Sequence, residues 1–222
     1  MTVHEFGDPK KPVLLLFPGT MCYWKSNFGA VIDRLTEKFF VAAVAYTGFD
    51  ESDREDYQSV EDELGRIEAY VQEHYNGSVR AAYGCSLGGT FVAQLAARHR
   101  IHMRYGILGS SDLDQAGPVK AAILTQMMVG LTYHFVHTGS YRTKLMQKRF
   151  RQKMQEPDPY NRVFVALLGR DRYDMSFITK QSIKNQFRSD LTTPLPVGID
   201  NGETEIHVFY AKKMGEKYLA RY

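Results

Sequence analysis

Six residues, Gly84-Cys85-Ser86-Leu87-Gly88-Gly89, constrain what this 222-residue chain can fold into more than any other stretch. A strand-like run, Val79-Arg80-Ala81-Ala82-Tyr83, stands directly before them. A helix-like run, Thr90-Phe91-Val92-Ala93-Gln94-Leu95-Ala96-Ala97-Arg98, stands directly after. The result is G-x-S-x-G between a strand and a helix. In so tight a turn, a side chain two positions either side of the serine would strike the neighbouring strand or helix. Glycine there lets Ser86 project at the C-terminal edge of a sheet. The helix beginning at Leu87 then points unpaired N–H groups at anything bound beside it. The same glycines would also suit a turn that serves close packing alone.

The surrounding pattern places that turn. Residues 13–17 are a continuous apolar run ended by Pro18-Gly19, as expected of a strand buried on both faces. A helical segment is expected over 27–38 and a second buried strand over 39–46. Ser59, with Asp62 three residues on, opens a second helix close to a capping-box pattern. Val60, Leu64, Ile67 and Val71 form its apolar stripe, and Asn76-Gly77 ends it. The strand and helix around Ser86 follow, then a fourth strand over 103–108. Strand–helix alternation implies a mostly parallel α/β sheet with helices on both faces and right-handed crossovers. Ligands then belong at the carboxyl ends of the strands, where Pro18-Gly19-Thr20, Ser86 and Asp112 all fall.

Alternation stops after Gln115. Segments at 119–136, 141–154, 158–168 and 176–189 read as helices, and strand character returns at 205–210. The expected organisation is a core of residues 1–115 and 192–222 with a helical cap inserted at 116–191, over an apolar substrate pocket. Ordinary helical cover of the core is the competing reading.

Composition excludes several classes. A net charge of +3 is too small to argue for nucleic acid. The basic run Arg142, Lys144, Lys148, Arg149, Arg151 and Lys153 reads as a solvated helix face, with a membrane surface or anionic substrate as the sharper alternative. Cys22 and Cys85 have no metal-ligand spacing, and neither H-E-x-x-H nor a Cys/His cluster suggests zinc, so no metal is expected. The frame and lysine of a P-loop are missing, as is G-x-G-x-x-G in the first strand–helix turn, so no nucleotide cofactor is expected. No apolar stretch reaches the length of a membrane span or a signal-peptide core, and reduced thiols suit a cytoplasmic enzyme.

Together these features resemble the α/β-hydrolase superfamily, and the resemblance covers nearly the whole chain. Residues 84–89 look like its nucleophile elbow, and Phe17-Pro18-Gly19-Thr20 looks like its early oxyanion loop, with Phe-Pro in place of the frequent His-Gly opening. The resemblance implies a serine hydrolase acting on an ester or related acyl bond of a small-molecule substrate. Ser86 is then the nucleophile, and backbone N–H groups of Leu87 and of Thr20 or Met21 hold the oxyanion. Asp112 is the preferred acid, with Asp114 and Glu216 as alternatives. The family's histidine follows a last strand near the C-terminus, and the chain stops at Tyr222 before such a segment. Of His4, His74, His99, His102, His134, His137 and His207, only His134 and His137 lie where they could approach the pocket. The expectation is a chain lacking the catalytic base. A non-catalytic small-molecule binding protein and an acyltransferase remain alternatives. A shortened sheet would expose an edge at the last strand, through which a homodimer could form.

Overall fold

The computed structural model describes residues 1–111, 115–155, 173–196, 198–199 and 202–209, without the side chains of 153 and 154. Its centre is a six-stranded sheet. The strands are β1 (Thr2–Phe6), β2 (Val13–Phe17), β3 (Phe40–Ala45), β4 (Ser78–Cys85), β5 (His102–Gly109) and β6 (Glu205–Phe209), in the order β1-β3-β2-β4-β5-β6. Pairing is parallel from β3 through β6, and β1 alone runs antiparallel, against β3. All six residues of β3 are buried, as are Leu14–Phe17 of β2, which is why these runs are apolar without alternation.

Two expectations are corrected here. Residues 1–12 contain β1, which sequence reading leaves as a polar terminus. Its polarity has structural uses: His4 bonds Asp50 at 2.6 Å and stacks on Trp24, and Glu5 accepts from Tyr70 and Tyr75 hydroxyls. The single helix expected over 27–38 is two short ones, α1 (Trp24–Phe28) and α2 (Ile32–Thr36), separated at Gly29. Glycine is costly in a helix interior, and burial of Trp24, Phe28 and Ile32 fixes the two pieces instead.

The remaining helices follow the sequence closely. α3 (Val60–Tyr75) is capped by Ser59, whose Oγ accepts from Asp62 N–H at 3.1 Å, and Asn76 ends it in the left-handed region. α4 (Leu87–Arg98) follows β4 and packs on β2, β4 and β5. Strand order reverses direction at β2: the chain moves from β2 to β3 on one side, then across to β4 and β5. With right-handed crossovers, this puts α1 and α2 on one face and α3 and α4, which touch each other, on the other. It also makes the C-terminal ends of β2 and β4 a topological switch point, the place where open α/β sheets bind ligands. Phe17 pairs with Gly84 there.

Between β5 and β6 lie α5 (Pro118–Thr138), α6 (Lys144–Gln155) and α7 (Lys180–Thr192). The helix expected over 158–168 lies outside the described residues. On α6 and just before it, Arg142, Lys144, Lys148, Arg149 and Arg151 are all exposed, in keeping with a solvated face. Among the described residues, no helix is long and apolar enough to cross a membrane. β6 is an edge strand of the described sheet, with Val208 and Phe209 exposed.

Candidate functional site

Ser86 sits between β4 and α4 with φ 52° and ψ −117°. That is a glycine-favoured conformation, the first central position of a type II′ turn. The packing around it leaves little choice. A Cβ on Gly84 would stand 2.0 Å from the Gly88 carbonyl oxygen, and one on Gly88 would stand 2.2 Å from that of Phe17 in β2. A Cβ on Gly89 would meet Ser111 Oγ at 1.7 Å. The turn is therefore squeezed between helix and strand as its glycines imply. Hydrogen bonds hold it from both sides: Ser86 N–H donates to Gly109 O (2.9 Å), while Ser86 O accepts from Gly89 N–H (2.8 Å) and Ser111 Oγ (2.6 Å). The backbone is fixed and the side chain is left half-buried.

The loop after β2 closes on the same point. A Cβ on Gly19 would lie 3.5 Å from Ser86 Cβ and 3.3 Å from the Cys85 carbonyl oxygen. Gly19 N–H donates to Asn27 Oδ1 (3.0 Å), Cys22 N–H to Gly19 O (3.0 Å), and Tyr46 hydroxyl to Pro18 O (3.0 Å). Met21, buried, adopts φ 59°. Leu87 N–H, at the start of α4, belongs to the donors that a helix leaves without intrahelical acceptors.

α7 reaches this loop in a way the sequence does not announce. Its buried residues are Ser182, Ile183, Gln186 and Ser189, a mainly polar face. Gln186 Oε1 accepts from Met21 N–H at 2.6 Å. Asp190, one turn on, accepts from Thr20 Oγ1 at 2.6 Å. Ser182 Oγ accepts from Tyr57 N–H (3.0 Å), and Asn185 Nδ2 donates to Tyr57 O (2.7 Å). The helix is thus docked by hydrogen bonds onto the loops that follow β2 and β3. Periodicity of apolar residues could not find this face, because serine and glutamine at helical spacing read as solvent-facing. Gln186 and Asp190 are the residues that sequence reasoning missed.

Both cysteines flank the serine and neither is activated. Burial, then the neighbouring Cys85, pushes the Cys22 thiol up to about 12. Burial also raises Cys85, against a hydrogen bond with Asn27. Both are protonated near neutral pH and are poor nucleophiles.

Among the described residues, no hydrogen bond joins Ser86 Oγ to a histidine. His4 is committed to Asp50, His99 to Glu203 (2.7 Å) and His207 to Glu205 (3.0 Å). His74 stacks on Tyr70, and His137 Nδ1 bonds Tyr133 O at 2.9 Å. Asp112, Asp114 and Glu216 lie outside the described residues. A separate open cavity of about 500 Å³ is lined by Leu64, Gln94, Thr192 and Pro194 among others, and Ser86 is not part of its wall.

No protein-family model matches the sequence, and no curated protein matches it. Solved structures do. A protein from Desulfitobacterium hafniense described as an α/β hydrolase family member is similar at TM-score 0.71, with 21% identity, over 93% of this chain and 78% of that one. The enol-lactonase from Burkholderia xenovorans LB400 is similar at TM-score 0.63, with 15% identity, over 95% of this chain and 77% of that one. A 1H-3-hydroxy-4-oxoquinoline 2,4-dioxygenase is similar at TM-score 0.61, with 17% identity, over 99% of this chain and 80% of that one. The chain has the α/β-hydrolase fold.

Proposed function

We propose that this α/β-hydrolase-fold chain is a serine hydrolase that cleaves an ester or related acyl bond of a small to medium apolar molecule through an acyl-enzyme on Ser86. The backbone at Ser86 carries the reading. Its φ of 52° and ψ of −117° are held by glycine contacts on two sides. Strain of about 1–3 kcal/mol at one residue persists where the surroundings over-determine it, and such residues cluster at functional sites.

In the proposed reaction Ser86 Oγ adds to the acyl carbon and its proton passes to a general base. Leu87 N–H and Thr20 N–H are the direct donors to the oxyanion. Met21 N–H is occupied by Gln186. Asp112 is the proposed acid that orients the base, with Asp114 and Glu216 as alternatives. Residues 116–191 are the proposed cap, and a cytoplasmic setting goes with the reading. The enol-lactonase among the fold neighbours supports an ester-type bond. The dioxygenase among them is a reminder that the fold alone does not set the reaction.

A second reading is a non-catalytic small-molecule binding protein on the same scaffold. Two observations favour it: the described histidines make no bond to Ser86, and a candidate oxyanion donor is engaged by a side chain. Acyl transfer to an alcohol or thiol would use the same elbow as hydrolysis. A panel of p-nitrophenyl esters of rising acyl length separates the Ser86-dependent catalytic readings from the binding one. Turnover that disappears in Ser86→Ala is expected, whereas equal turnover by both proteins would sink the serine-hydrolase reading.

A further inference from the structure

Unpaired positive charge and exposed apolar surface are gathered on one segment of the chain. Residues 115–155 carry seven Lys/Arg and no Asp/Glu, whereas the rest of the chain carries 21 Lys/Arg against 25 Asp/Glu. Arg142, Lys144, Lys148, Arg149 and Arg151 are exposed, and among the described residues none of them pairs with a carboxylate. Arg66 and Arg98, on other helices, are bonded to Glu55 and Glu61. Four large apolar side chains of the same segment face outward: Val119 is 74% exposed, Ile123 65%, Met127 53% and Leu145 59%.

The packing of α5 and α6 explains why these side chains have no cover. α5 packs on α7, and its buried residues include Ala121, Thr125, Val129 and Val136. At 3.6 residues per turn, Val119, Ile123 and Met127 form one stripe on the opposite side of the helix. α6 is attached near the C-terminal end of α5 by the rings of Phe135, Tyr141 and Phe150, whose centroids are 5.0, 5.8 and 5.1 Å apart. Its Met146, Gln147 and Phe150 are partly buried, and Lys144, Leu145, Lys148, Arg149 and Arg151 are left outside.

We propose that α5 and α6 form a docking surface for an anionic lipid bilayer. The cations of residues 142–151 meet the lipid headgroups, and Val119, Ile123, Met127 and Leu145 enter the boundary with the acyl chains. Stable peripheral binding takes two signals, such as an apolar insertion and a basic patch, and both are present. The kind of apolar surface favours lipid over nucleic acid. Single strands are held on exposed aromatic rings, whereas the exposed side chains here are not aromatic and the rings of Phe135, Tyr141 and Phe150 are turned on one another. A second copy fits less well, because a symmetric contact would set one unpaired basic run against another. The proposal is independent of the chemistry at Ser86.

Co-sedimentation of the full chain with vesicles tests this, one set made of phosphatidylcholine alone and one of phosphatidylcholine and phosphatidylserine in equal parts. The wild type should bind the mixed vesicles and not the neutral ones, and added salt should weaken binding. Lys144→Gln, Lys148→Gln and Arg149→Gln combined should weaken it roughly 100-fold, at about fivefold per cation. Ile123→Gln with Met127→Gln should weaken it roughly tenfold or more, from the apolar burial that is lost. All five side chains are exposed, so unfolding midpoints should stay near that of the wild type; either set carries the test if the other does not fold. No binding to the mixed vesicles, equal binding to the neutral ones, or binding that survives either set unchanged overturns the proposal. So does a dimer, seen by analytical ultracentrifugation, that Ile123→Gln with Met127→Gln dissociates, since a second copy then covers the stripe. Binding of a single-stranded oligonucleotide more tightly than the mixed vesicles, dependent on the cations and not on the apolar pair, would assign the face to nucleic acid instead.

Discussion

The strain at Ser86 can be isolated by comparing Ser86→Gly with Ser86→Ala. Both variants lack the hydroxyl, so any chemistry or hydrogen bonding of Oγ cancels between them. Alanine keeps a Cβ at φ 52°, ψ −117°, and glycine does not. Relief of an unfavourable backbone region is worth about 1–3 kcal/mol. Against it stands glycine's larger loss of chain freedom on folding, about 0.4–1 kcal/mol. The net gain for glycine is roughly 0.5–2 kcal/mol. For a chain of 222 residues, each kcal/mol moves Tm by about 2–4 °C, so Ser86→Gly should melt roughly 1–8 °C above Ser86→Ala. Thermal and urea unfolding, followed by circular dichroism, give the comparison. A glycine variant that is equal to or weaker than the alanine variant by both methods would refute the claim that this backbone is strained.

Two further substitutions read the packing, and a third the electrostatics. Gly88→Ala places a Cβ 2.2 Å from the Phe17 carbonyl oxygen in a central strand that has no room to retreat, so it should cost more than the usual ~1–3 kcal/mol of overpacking. Gly65→Ala, in mid-α3 with nothing within 4 Å, should instead stabilise by about 1 kcal/mol; urea midpoints that rank these two in the opposite order would contradict the steric account. Glu63 is buried, accepts from Thr47 N–H at 3.2 Å, and is raised above its ordinary 4.5 chiefly by burial, with the Thr47 hydrogen bond opposing. The folded protein thus holds this proton more tightly than the unfolded chain. The stability it contributes is full below pH 4.5 and is lost as pH rises through the raised value. Glu63→Gln keeps the acceptor and loses the charge, so its advantage over wild type should grow with pH and then level off. A difference that stays flat from about pH 4 to 8 would show that the carboxyl does not carry the burial penalty.

Much of the fold was legible because the same physics writes both the pattern and the structure. Strands buried on both faces must be apolar throughout, so β2 and β3 appear as unbroken runs at 13–17 and 39–46. Ser59 and Asn76 announce the ends of α3 because a helix start needs an acceptor and a left-handed end favours asparagine. β1 escaped because an edge strand with one neighbour need not be apolar, and His4 and Glu5 find partners only across the fold. The break in 27–38 escaped because the burial of Trp24 and Ile32 against the sheet, not local propensity, sets those two short helices.

The sequence alone determined the turn at Gly84–Gly89, since a Cβ on Gly84 would stand 2.0 Å from the carbonyl oxygen of Gly88, four residues on, and that requirement is local. It likewise determined the alternation that puts Ser86 at the carboxyl end of a parallel sheet. Tertiary structure decided what faces the serine. The reversal of strand order at β2 brings residues 18–22 beside the elbow. A helix about 100 residues further on then presents Gln186 and Asp190 to that loop. A glutamine on a helix reads the same whether it meets water or a backbone N–H. Its partner is chosen by the packing of distant segments, and no spacing in the chain records that choice.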